Sequence, residues 1–129
     1  MKKIPAHQKY QDSHITPKEL HRIWWQLHDH LESTPQLWLR PTSLKEFCLL
    51  LNTNQKYFSQ TVNQATGFSI NTLIHTYRME FFLKKIQQGE AQIKTIEGLL
   101  LEVGFKNRSS FYTSFRKLMG GKVTDFIRD

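Results

Sequence analysis

One apolar template occurs twice in this chain, and that repeat restricts the fold more than any other feature. Leu44, Phe47, Cys48 and Leu51 recur as Ile96, Leu99, Leu100 and Val103, each 52 positions further on. Phe58, Val62 and Gly67 recur as Phe111, Phe115 and Gly120, each 53 positions further on. Within each set the spacing is that of one face of a helix. Each copy therefore reads as two short helices joined by a tight turn, the second turn being one residue longer than the first. Two such units predict an all-α fold, joined by a long linker helix and preceded by an extra N-terminal helix.

The segments around the repeat carry helix signals of their own. Thr16-Pro17-Lys18-Glu19 combines an N-cap, a proline at the first helical position and a glutamate that reaches back. The apolar face that follows, Leu20, Ile23, Trp24, Leu27 and Leu31, ends at Ser33-Thr34-Pro35. Ser43-Leu44-Lys45-Glu46 repeats the cap, and Asn52-Thr53-Asn54 reads as the first turn. Ser69 caps a longer helix whose apolar face is Ile70, Leu73, Ile74, Tyr77, Phe81 and Ile86, ending near Gln88-Gly89. The expected organisation is an arm over 1–15, an N-terminal helix and lead-in over 16–42, a first unit over 43–68, a linker helix over 69–89 and a second unit over 90–129.

Nine Phe and three Trp among 129 residues supply enough apolar mass for a packed core. The 18 Lys and Arg outweigh the 11 Asp and Glu, giving a formal charge of +7 that suits a polyanion. A single cysteine, Cys48, excludes an internal disulfide and a thiolate-built zinc site; it reads as a buried small hydrophobe. His21 and His28 lie about two turns, ~10 Å, apart on one helix, and with His30 they make a poor metal set. No phosphate-cradling loop, nucleophile elbow or metalloprotease spacing is found. The chain is thus expected to be no enzyme, with no cofactor and no metal, and without a signal peptide or membrane span it is expected in the cytoplasm.

In a helix-turn-helix unit the second helix enters the major groove of DNA. Outward on that helix in the first unit fall Gln55, Lys56, Ser59, Gln60, Asn63 and Gln64, with Asn54 just before them; none is acidic, and amides pair with adenine edges. In the second unit they are Lys106, Asn107, Arg108, Ser109, Tyr112, Thr113, Arg116 and Lys117, again without a carboxylate. Double-stranded DNA is the partner these two surfaces imply. Two rival readings stay open. Trp24, Trp25 and Trp38 would suit a helical protein-interaction module with only minor DNA contact, and single-stranded RNA would stack on aromatic platforms, for which Tyr112 is the one candidate.

The segment from Ser43 to Arg128 resembles the DNA-binding domain of the AraC/XylS family of bacterial transcription regulators. Tyr57-Phe58-Ser59, Gly67-Phe68-Ser69, Tyr77-Arg78-Met79, Val103-Gly104-Phe105, Ser110-Phe111 and Phe115-Arg116-Lys117 through Gly120 carry the likeness. More loosely, residues 9–42 look like the lead-in of members whose sensor part lies N-terminal. The resemblance implies base-reading positions at Lys56, Ser59 and Gln60 and at Arg108, Ser109 and Thr113, with two successive major grooves read by one chain. It leaves Arg78, Lys84 and Lys85 between DNA contact and, for Arg78, an ion pair bracing the units. It also implies the output end of a larger regulator, membrane-linked or not, with a sensor domain, RNA polymerase and a second copy as partners; the isolated domain is expected to be monomeric and the full regulator dimeric. A complete small regulator is the alternative. Leu100, Phe82 and Val123 depart from the family pattern, which has small residues at the first two and proline at the third.

Overall fold

The computed structural model describes residues 14–122 and Asp125. Among the described residues the regular structure is helical throughout: α1 (Pro17–Ser33), α2 (Gln36–Leu39), α3 (Leu44–Leu50), α4 (Gln55–Thr66), α5 (Ile70–Gln87), a 3-10 turn (Glu90–Gln92), α6 (Ile96–Glu102) and α7 (Arg108–Met119). None of these helices is long and apolar enough to cross a membrane. The expected arm lies outside the described residues except for His14 and Ile15, and so does Val123. α2 and the 3-10 turn are too short to leave a periodic signal, and the sequence pattern does not reveal them.

The chain forms two compact units. The first takes 14–37 and Thr42–Leu73, the second Trp38–Pro41 and the described residues from Ile74 onward, so the division falls inside α5 and the short Trp38–Pro41 segment belongs with the C-terminal half.

In the first unit α1 supplies Ile23, Leu27 and Leu31, all buried, and packs against α4. Phe47, Cys48, Leu51, Phe58 and Val62 complete the apolar interior, with the Phe47 and Phe58 rings stacked 5.5 Å apart. Leu20 and Trp24 are only half-buried, so the core face of α1 is narrower than the sequence pattern suggests. Thr16 caps α1 as expected, its hydroxyl accepting from the Glu19 amide at 3.1 Å.

The second unit is built on aromatic rings. Phe82, Phe105, Phe111 and Phe115 join Met79, Leu99, Leu100 and Val103 in one cluster, with Phe82 and Phe111 centred 4.7 Å apart. Phe82 and Leu100, the two bulky departures from the family pattern, are thus central to this core. Trp38 is buried against Tyr77 (5.9 Å) and Phe81 (5.5 Å) and does not present an anchor to a partner. The apolar face assigned to α5 needs correction as well: Met79 and Phe82 are more deeply buried than Tyr77, Phe81 and Ile86. Apolar residues lie on several sides of α5 here, and a single stripe does not describe such a helix.

Candidate nucleic-acid interface

The two helix-turn-helix units share one pattern of caps and terminators. Ser43 Oγ accepts from the Glu46 amide at 3.1 Å and starts α3; Thr95 Oγ1 accepts from Gly98 at 3.0 Å and starts α6. Asn52, with φ +50, and Gly104, with φ +93, make the left-handed step of the two turns. Asn54 Oδ1 accepts from Tyr57 at 2.8 Å, and Asn107 Oδ1 from Ser110 at 2.9 Å, starting α4 and α7. Gly67 and Gly120 end those helices at φ +77 and +71. The repeat inferred from apolar spacing therefore extends to every cap, and the extra residue of the second unit falls between Gly104 and Asn107.

In the first unit the turn is held from α1. Arg22 is paired with Glu19 and also donates to the Leu51 carbonyl at 3.0 Å and the Asn52 carbonyl at 3.4 Å, so one guanidinium caps the end of α3 and the turn itself. Sequence reasoning missed this brace, because a contact across 29 residues leaves no local signal. Asn54, Gln55, Lys56 and Gln64 are exposed, and Ser59 and Asn63 are half-buried. Gln60 is the exception. It is only 6% exposed, and its Oε1 has no hydrogen-bond partner among the described residues, so it does not belong to the outward set. The expectation, including the base-reading place that the resemblance implies for Gln60, took Phe58 and Val62 as the inward face, whereas α4 is packed by α1 as well as by α3.

In the second unit all eight expected residues, Lys106, Asn107, Arg108, Ser109, Tyr112, Thr113, Arg116 and Lys117, are exposed. The inner side of α7 is fixed by Phe111 and Phe115 and by Ser114, whose hydroxyl lies 2.9 Å from His75 Nδ1 on α5. Burial, and then the nearby Arg78 charge, hold the His75 imidazole below the usual histidine range. Arg108 is paired with Glu97 at 2.7 Å, a carboxylate that comes from α6 and that inspection of α7 alone overlooks.

Four further basic residues, Arg78, Lys84, Lys85 and Lys94, differ in their surroundings. Arg78 is half-buried, donates from Nε to the Trp38 carbonyl and lies 5.7 Å from the Phe105 ring centre. Its Nε is committed to a backbone carbonyl inside the second unit, and of the two roles left open, DNA contact and an ion pair bracing the units, the ion pair is not formed among the described residues. Lys85 pairs with Glu90 (3.4 Å) and Glu102 (3.2 Å) and sits 4.8 Å from the Phe81 ring centre, which removes it from the DNA candidates. Lys94 joins the same carboxylates, and its hydrogen bonds hold both acids below the usual carboxylate range. Lys84 is exposed.

Of the three tryptophans, Trp25 alone is largely exposed, at 48%, with the His21 and His28 rings packed edge-on to it. These histidines are aromatic neighbours of an indole.

What these units can do chemically is plain from their surfaces: each offers a helix bounded by an Asn cap and a left-handed glycine, with amides, hydroxyls and cations outward. The family model described as a helix-turn-helix domain, of the AraC type, matches residues 47–129. Neither curated proteins nor solved structures yielded a match. With its two capped units and a family match over most of its length, the chain belongs to the AraC-type helix-turn-helix family and is a DNA-binding domain of a transcription regulator.

Proposed function

We propose that one copy of this chain reads two sub-sites on a single duplex, α4 in one major groove and α7 in the next, ~34 Å along. The observation that carries this reading is the matched pair of units, α3 with α4 and α6 with α7, each presenting a second helix whose own sequence holds no carboxylate. Lys56 and Ser59 read bases from α4; Arg108, Ser109 and Thr113 read them from α7. Gln55, Asn63, Tyr112, Lys106, Arg116 and Lys117 serve the backbone and groove walls. Asn54 and Asn107 have their oxygens committed to the helix caps, so they act on DNA through their Nδ2 donors, beside the helix N-termini that favour phosphate.

The chain is the cytoplasmic output part of a longer regulator in this reading, with a sensor region on its N-terminal side, RNA polymerase as a contact and a second copy on a neighbouring site. Selection of duplexes from a random pool, followed by a salt series on the winner, tests it. Two short motifs about one helical turn apart, with steep loss of affinity in salt, are the expected result. One motif alone would remove one of the two readers.

A second reading has one observation in its favour, the exposed Trp25 on α1, which suits a protein partner. If Lys56→Ala combined with Arg108→Ala leaves duplex affinity and its salt dependence unchanged, that reading replaces the first.

A further inference from the structure

α7 carries no carboxylate of its own, yet one reaches it from the helix before. Glu97 stands in the first turn of α6, and its Oε1 lies 2.7 Å from Nη2 of Arg108, in the first turn of α7. The two side chains are 54% and 57% exposed, so the pair is in solvent, and one of its members is itself a candidate contact. At the equivalent places of the first unit stand Lys45 and Gln55, a cation and an amide, both exposed. The pair is a property of the second unit alone.

An ion pair this exposed contributes little to folding, because water solvates both partners well and the side chains lose freedom in holding one geometry. Its consequence for DNA is larger. A bare arginine beside a duplex is drawn to phosphate whatever the sequence. A carboxylate 2.7 Å away offsets that attraction and itself repels phosphate. It leaves the hydrogen-bonding fork usable, since a guanidinium has five N–H donors and one carboxylate oxygen does not exhaust them. Two donors still match the paired acceptors of a guanine edge.

We propose that Glu97 is a specificity-determining residue: it holds the Arg108 guanidinium in place for a base edge and keeps it off the phosphates. The proposal rests on the reading of α7 as a groove-facing helix. Arg108 makes the base contact, and Glu97 is a positioning residue that acts through it. The first unit, with Lys45 in place of the carboxylate, has no such restraint on its cations.

The test uses the full chain, the duplex selected from a random pool, all its single-base-pair variants and an unrelated duplex of equal length. Glu97→Gln is expected to bind the unrelated duplex several-fold more tightly. The slope of log affinity against log salt should steepen by about 0.9, one phosphate's worth. Discrimination at one base-pair position should fall by about tenfold. Arg108→Ala should lose discrimination at that same position, and the double variant should match Arg108→Ala there. Melting temperatures of all three should stay within a few degrees of the parent. If Glu97→Gln tightens every duplex equally while Arg108→Ala still costs discrimination, the carboxylate only repels phosphate; the positioning role is overturned and the reading of α7 stands. If Arg108→Ala leaves discrimination intact at every position, the reading of α7 fails and the role of Glu97 falls with it.

Discussion

Asn107 Oδ1 accepts the backbone N–H of Ser110 at 2.9 Å and closes the first turn of α7. The same bond, from Tyr57 to Asn54 at 2.8 Å, closes α4. Because these oxygens are spent on the helix, substitution should register in stability before specificity. Asn107→Ala is expected to cost ~1 kcal/mol of unfolding free energy in a urea titration. At a matched folded fraction the base preference of the selected duplex should be retained. A variant of full stability with altered base preference would mean that the side chain serves the groove and not the cap.

Gly104 separates two effects that are usually confounded. Its φ of +93 disfavours any side chain, and a Cβ there would come within 2.6 Å of the Leu39 carbonyl oxygen and 2.9 Å of Arg78 Nε. Gly120 has φ +71 with nothing within 4 Å of an added Cβ. Gly120→Ala should therefore cost only the backbone strain, ~1 kcal/mol, whereas Gly104→Ala should cost roughly 3 kcal/mol or more, since backbone cannot swing aside as a side chain can. Equal losses in chemical denaturation would show that the Leu39 segment moves away freely.

Much of this architecture was legible because it is local. Caps at Thr16, Ser43 and Ser69 announce helices within four residues, and the apolar spacing of both units follows from helical geometry alone. Thr95 is absent from the caps read in the sequence, and its hydroxyl accepts the Gly98 amide all the same. What stayed hidden depends on contacts between distant segments. Trp38 looks like a surface anchor until Tyr77 and Phe81 cover it, and Gln60 looks outward until α4 proves to be packed by two helices. Glu97 was invisible for a related reason. A recognition surface is read from one helix at a time, and its counter-charge comes from another.

His75, the one histidine of the second unit, gives that unit a pH dependence of known sign. Its imidazole is held below the usual range by burial first and the Arg78 charge second, with the Phe105 ring centred 5.4 Å away and the Ser114 hydroxyl 2.9 Å from Nδ1. The unfolded chain takes up the proton near ~6.5, before the folded one does. Stability is therefore complete above that value and is lost as pH falls through it toward the lower folded value. Thermal midpoints should drop between about pH 7.5 and about pH 5.5, and His75→Gln should flatten the decline. Glu90 and Glu102, held below the usual carboxylate range mainly by Lys94, act in a separate window, their contribution being lost only below ~4.3. A His75→Gln profile as steep as the parent's would assign the neutral-range loss to other groups.

Arg116 and Lys117 distinguish affinity from readout. Both are exposed in the last turn of α7, where a cation also favours the helix dipole by ~0.3 to 1 kcal/mol. Each alanine variant is thus expected to be slightly less stable, and the DNA comparison has to be made well below the melting range. There, Arg116→Ala and Lys117→Ala should each weaken the selected and the unrelated duplex by the same factor and reduce the salt slope by about 0.9. Lys56→Ala, in the first turn of α4, should do the reverse for a base-reading residue: lose ~1 to 3 kcal/mol on the selected duplex, concentrate that loss at one base pair and leave unrelated duplexes nearly unchanged. If all three variants lose affinity uniformly, Lys56 is another phosphate contact. Base recognition by α4 would then rest on Ser59 and the amides of Gln55 and Asn63.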